Sequence, residues 1–128
     1  MKLTNADLTQ SFLPALRELS TIRTNAKVAY NTVKTIKTAL SAVEDFDSAR
    51  KTLLENSAQQ ENGKPKIDEV KKEYVFVSDE VKEAVVKSLN ELALAEVEFE
   101  IFPIKLSEFG NSEISAQLIL SLKDFIVE

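Results

Sequence analysis

From Lys27 to about Gln59 the chain contains neither glycine nor proline. More than thirty residues without a helix breaker limit the fold more than any other feature. Within this stretch Ala29, Val33, Ile36, Leu40 and Val43 recur at steps of four, three, four and three, which aligns them along one face of a helix. A helix over about 26–60, capped by Thr24 or Asn25, would be about 45–50 Å long at roughly 1.5 Å per residue. A compact chain of 128 residues does not require such a length, so the other elements are expected to pack against it or hang from its ends. Beyond Val43 the spacing falters. Asp47 and Arg50 stand where apolar residues were due, while Phe46, Leu53 and Leu54 carry a shifted face.

The remaining elements follow from the same periodicities. Leu8, Phe12, Leu16 and Leu19 mark a helix over about 5–19, with Thr4-Asn5 as its cap and Pro14 kinking or shortening it. Glu61-Asn62-Gly63-Lys64-Pro65 is a turn and a helix stop. Tyr74-Val75-Phe76-Val77, β-branched and aromatic, predicts a strand over about 73–77. Ser78 then caps a helix over about 79–95 that buries Val81, Ala84, Val85, Leu89 and Leu92. Over about 96–106, Val97, Phe99 and Ile101 alternate with Glu96, Glu98 and Glu100, the period of a strand; Pro103 puts it at an edge or bends it. After a turn around Gly110, Ser112 or Ser115 caps a last helix over about 113–127, with Ile114, Leu118, Ile119, Leu122, Phe125 and Ile126 inward. The expected product is one domain, 1–128, of the α+β class and mostly α. Its long helix is packed in an antiparallel helical hairpin or bundle, with a small two-stranded β element.

Composition removes whole classes of chemistry. With no cysteine and no histidine, disulfides, thiolate and imidazole metal sites and histidine-based triads are excluded. Two glycines are too few for a dinucleotide or phosphate-loop fingerprint. Asp45 and Asp47, two apart on a helix, point about 200° away from each other and cannot share an ion. No catalytic, cofactor or metal residue is assigned, and an enzyme is not expected. The amino-terminal stretch has no apolar signal core, and no run approaches eighteen apolar residues. A soluble cytoplasmic protein without a membrane partner is therefore expected.

Two charged faces are candidates for binding. Arg23, Lys27, Tyr30, Lys34 and Lys37 step by four, three, four and three, roughly opposite the apolar seam. A basic stripe with an interleaved aromatic suits a phosphate backbone or an acidic partner, or keeps the helix solvated. Glu96, Glu98 and Glu100 share one strand face, where they offer a docking site for a basic partner or a divalent cation, or guard an edge against pairing. Charge is also uneven along the chain. Residues 1–43 hold six Lys/Arg against two Asp/Glu, and 44–128 hold ten against nineteen, a polarity that favours association.

Several stretches together resemble a family of small proteins of tailed bacteriophages and prophages, typical of hosts such as lactic acid bacteria. They are MKLTNADL, KVAYNTVKTIKTALSAVEDFDSARKTLLEN, ENGKP, KEYVFVS, LNELALAEVEFEIFPIKLSEF and EISAQLILSLKDFI. The family has no assigned activity, so no functional residue carries over. The resemblance implies a protein made in the cytoplasm of a bacterial host, or associated with the virion. It implies a non-enzymatic protein–protein interaction module accessory to head or tail assembly, with a phage structural protein as partner or as a homo-oligomer. Two alternatives stand beside it. One is an anti-defence inhibitor that binds a host protein through its carboxylates, and the other a nucleic-acid-binding accessory protein that uses the basic stripe.

Overall fold

In the computed structural model, which describes residues 1–128, 62% of the chain is helical. The remaining order lies in four separate two-stranded pairings, so the class is α+β and mostly α. The chain, expected to form one domain, divides into two compact units. One joins Met1–Glu44 to Glu96–Glu128, and the other is Asp45–Ala95. The division also cancels the charge polarity of the sequence, because the acidic last third folds with the basic first third.

The first unit opens with β1 (Lys2–Thr4), then α1 (Asn5–Asp7), a π-helical turn (Leu8–Phe12) and α2 (Leu13–Thr21). Thr4 caps α1 by accepting the Asp7 N–H at 3.1 Å. Pro14 takes effect just upstream of itself. Its ring lacks a donor and crowds the preceding turn, and there the helix widens, Leu13 N–H bonding to the Leu8 carbonyl five residues back. The expected kink is thus a π turn. Leu8, Phe12, Leu16 and Leu19 are buried as the periodicity predicts, together with Leu13 and Ala15.

The long helix, α3 (Ala26–Ser57), is present but ends a little before the predicted 60, and its buried face is not the predicted one. Val28, Thr32, Thr35, Ala39 and Ala42 are buried, whereas Ala29 and Val33 are exposed and Ile36, Leu40 and Val43 half-buried. The inward stripe lies about one residue, or 100°, away from the aliphatic seam. Threonine can occupy it because its hydroxyl bonds back into the helix. Thr32 Oγ1 donates to the Val28 carbonyl at 2.7 Å and Thr35 Oγ1 to that of Asn31 at 2.9 Å. The methyl groups are then free to pack.

The predicted strand over 96–106 is shorter and interrupted. β6 (Glu96–Glu98) pairs antiparallel with β1, Leu3 opposite Val97, and Phe99 N–H bonds to the Met1 carbonyl at 3.0 Å. Residues 99–103 then leave the sheet before β7 (Ile104–Lys105), which pairs in parallel with β8 (Ile126–Val127). Pro103, without a donor, lies in that break. The last helix is likewise shorter than 113–127. α5 (Ala116–Leu122) is capped by Ser115, whose Oγ accepts the Leu118 N–H at 3.1 Å. It gives way to a 3₁₀ turn (Lys123–Phe125) and to β8. Leu118, Leu122 and Phe125 are buried with Phe99, Ile104 and Phe109. The Phe12 and Phe99 rings meet at 5.6 Å between centroids, tilted by 58°, a favoured aromatic geometry.

In the second unit the end of α3 is followed by β2 (Gln60–Glu61) and β3 (Lys64–Pro65), joined at Asn62-Gly63. Both residues have positive φ, 55° and 76°, as the Asn-Gly signal predicts. β4 (Ile67–Asp68) then pairs with β5 (Glu73–Tyr74), so the strand predicted over 73–77 covers only its first two residues. α4 (Asp79–Leu94) begins at Ser78, whose Oγ accepts the Val81 N–H at 3.3 Å. Of its predicted inward residues Val85 is buried, Val81, Leu89 and Leu92 are half-buried, and Ala84 is exposed. No helix is long and apolar enough to cross a membrane.

Candidate functional site

The basic stripe on α3 is only partly free. Asn25 Oδ1 caps the helix by accepting the Val28 N–H at 3.0 Å, and its amide donates to the Glu108 carbonyl at 2.5 Å. Glu108 lies in a 3₁₀ turn (Leu106–Phe109). Its Oε1 accepts the Lys105 N–H at 3.2 Å, and Oε2 lies 2.9 Å from Lys27 Nζ. The Lys27 hydrogen bond, reinforced by the Lys105 amide and opposed by desolvation, holds the Glu108 carboxyl below its ordinary range. Lys27 is therefore committed to fastening the start of α3.

Lys34 is held differently. Its ammonium lies 4.7 Å from the Tyr30 ring centroid, one helical turn back, and 4.1 Å from that of Phe102. A cation between two ring faces is attracted by both quadrupoles. Arg23 and Lys37 are exposed and their side chains have no acidic partner. Tyr30 is 64% exposed, with Ala29 and Val33 of the predicted seam open on the same helix. What the stripe presents is thus an aromatic and aliphatic surface carrying Lys34, flanked by Arg23 and Lys37.

Phe102 comes to this surface through contacts that the sequence reading missed. Asn31, Thr35 and Thr38 lie on adjoining turns of α3 and hold residues 100–103 alongside it. Thr38 Oγ1 donates to the Glu100 carbonyl at 2.5 Å, and Asn31 Nδ2 to that of Pro103 at 3.5 Å. The Phe102 N–H donates to Thr35 Oγ1 at 3.0 Å. Their spacing of four and three was a legible signal, but polar residues on a helix are ordinarily read as solvated.

The acidic face survives in part. Glu96 and Glu98 both project from β6 and are exposed; Glu100, also exposed, lies beyond the strand end. Only Glu96 meets a cation, Lys2, at 4.0 Å, an exposed pair of little energetic weight. No three carboxylates come together where they could hold a metal ion. The basic and acidic candidates both belong to the first unit.

The second unit carries a site that the sequence did not disclose. Leu54, Tyr74 and Phe76 line an open cleft of about 380 Å³ whose rim includes Lys72, Glu73 and Lys82. The Tyr74 hydroxyl donates to Glu55 Oε1 at 3.3 Å, and desolvation together with that carboxylate raises its pKa. The arrangement offers an apolar floor and two lysines without ion-pair partners. Comparison with models of known protein families, with curated proteins and with solved structures returned no match.

Proposed function

We propose that the chain is a non-enzymatic protein–protein interaction module, and that it serves as an accessory to virion head or tail assembly, in the cytoplasm of a bacterial host. The sequence resemblance supplies that setting. One structural observation supports the binding role. In residues 45–95 the buried hydrophobic side chains are Phe46, Ala58 and Val85, while Ile67, Val70, Val77, Val86 and Leu94 are exposed. A unit that leaves more large apolar side chains in water than it buries gains free energy when a partner covers them. The antiparallel helical hairpin or bundle expected of the long helix, with the helix over 79–95 and the terminal helix as its partners, remains part of this proposal.

The test is purification of the tagged chain from cells producing its phage, together with light scattering of the pure protein at micromolar concentration. Recovery of a virion structural protein, or a dimeric or larger mass, supports the reading. A monomeric mass with no virion protein recovered contradicts it. Recovery of a host nuclease instead transfers the function to the inhibitor alternative, in which Glu96, Glu98 and Glu100 occupy a cleft made for phosphates.

A further inference from the structure

The loop between β2 and β3 holds the one asparagine of the chain that precedes a glycine. An asparagine side chain can be attacked at Cγ by the backbone nitrogen of the next residue, and a glycine there leaves that nitrogen unshielded because it carries no Cβ. Asn62 and Gly63 are both exposed, with φ of 55° and 76°. Nothing lies within 4 Å of where a Gly63 Cβ would stand. Glu61 and Lys64 pair across the loop, while the Gly63 N–H has no hydrogen-bond partner. The Asn62 carboxamide has none either.

The other asparagines are held. The carboxamides of Asn25 and Asn31 donate to the Glu108 and Pro103 carbonyls. Asn56 and Asn90 lie within the helical backbone of α3 and α4, and Asn5 is buried. After Asn111, the Ser112 N–H bonds to the Phe109 carbonyl at 3.0 Å. At Asn62 the attack requires only that the backbone swing out of its turn. The hairpin has two residue pairs, and so short a ladder opens locally at small cost.

We propose that Asn62 is a site of spontaneous covalent modification, closing to a succinimide and hydrolysing to aspartyl and isoaspartyl forms. The Gly63 nitrogen bonds to Asn62 Cγ, the Cγ–Nδ2 bond breaks, and the side-chain nitrogen leaves as ammonia with the proton that Gly63 gave up. Water then opens the ring at either carbonyl. Opening at the main-chain carbonyl routes the backbone through Cβ and adds an atom to a loop of two residues. The damage reaches beyond the loop, because a run of backbone bonds ties the hairpin to the segment after β5. The Gln59 N–H bonds to the Val75 carbonyl at 2.7 Å, the Lys66 N–H to the Gln59 carbonyl at 2.7 Å and the Val75 N–H to the Lys66 carbonyl at 3.0 Å. The isoaspartyl form thus loosens the backbone on either side of the Tyr74 cleft.

The test incubates the full chain at neutral pH and maps its peptides by mass spectrometry, with electron-transfer fragmentation to distinguish the two products. Modification is expected at Asn62 ahead of every other asparagine. Its rate should lie within about thirtyfold of that for the same chain in urea, the factor for a small local opening. A native chain that stays intact while the chain in urea reacts overturns the proposal. So does modification spread evenly over Asn62 and Asn111. In the isoaspartyl fraction the Gln59, Lys66 and Val75 amides are expected to exchange faster with solvent. The variant Asn62→Asp is expected to keep them protected, since aspartate tolerates a positive φ. Exchange unchanged in the isoaspartyl fraction, or equally fast in Asn62→Asp, overturns the role given to the rerouted backbone.

Discussion

Residues 1–44 with 96–128 bury sixteen hydrophobic side chains, from Leu3 to Phe125, whereas residues 45–95 bury three. Each unit exposes five large hydrophobic residues. The first unit therefore has an interior that accounts for its own order, and its open apolar groups are incidental to a much larger core. In the second, short pairings such as Gln60–Glu61 with Lys64–Pro65, capping bonds and half-buried side chains supply most of the order. Such a unit sits toward the low end of local stability, where binding surfaces are commonly found. In the proposed function the first unit is the scaffold and the second the part that a partner covers.

Four substitutions sharpen or break that contrast, in falling order of effect. Phe12, fully buried against Phe99, is expected to cost about 3–5 kcal/mol when replaced by alanine. Phe46→Ala in the second unit is expected to stay below about 3 kcal/mol, since its surroundings can relax. Urea unfolding followed by circular dichroism measures both, and equal losses would erase the distinction. Thr35→Val keeps the shape of the buried side chain but leaves the Phe102 N–H without its acceptor. A loss of about 1–3 kcal/mol is expected, and the Phe102 amide should exchange faster with solvent. Leu94→Ser is expected to change stability by no more than about 0.5 kcal/mol while reducing self-association or partner recovery. An unaltered mass and an unaltered recovery would remove Leu94 from the binding surface.

The smallest effect concerns acid. Glu108 has its pKa lowered in the folded state by Lys27. Its contribution is present above the ordinary carboxylate pKa and disappears as pH falls through the lowered folded value. Glu108→Gln carries no titrating group, so the stability gap between wild type and variant is expected to narrow as the solution is acidified below the ordinary carboxylate range. A gap constant from neutral to strongly acidic pH would show that Lys27 does not hold Glu108 in solution.

Features encoded by adjacent residues were legible in the sequence. Asn25, Ser78 and Ser115 cap the helices where the pattern placed caps, and Asn62-Gly63 makes its turn. What the pattern misplaced depended on distant partners. The aliphatic seam through Val33 outweighed Thr32 and Thr35 because a threonine counts as polar until its hydroxyl is seen bonded within the helix. The pairing of Leu3 with Val97 joins segments about three quarters of the chain apart, and no local period announces it. The candidate stripe was legible as a face but not in its charges, since the partners of Lys27 and Lys34 are Glu108 and Phe102.

Native-state hydrogen exchange, resolved by residue, tests the division of roles most directly. Amides of Leu8–Leu19, Thr32–Ala42 and Phe99 are expected to exchange only through global unfolding. Those of residues 60–77 and α4 are expected to exchange through smaller openings that slow when a partner is bound. Uniform protection across both units, unchanged by a partner, would contradict it.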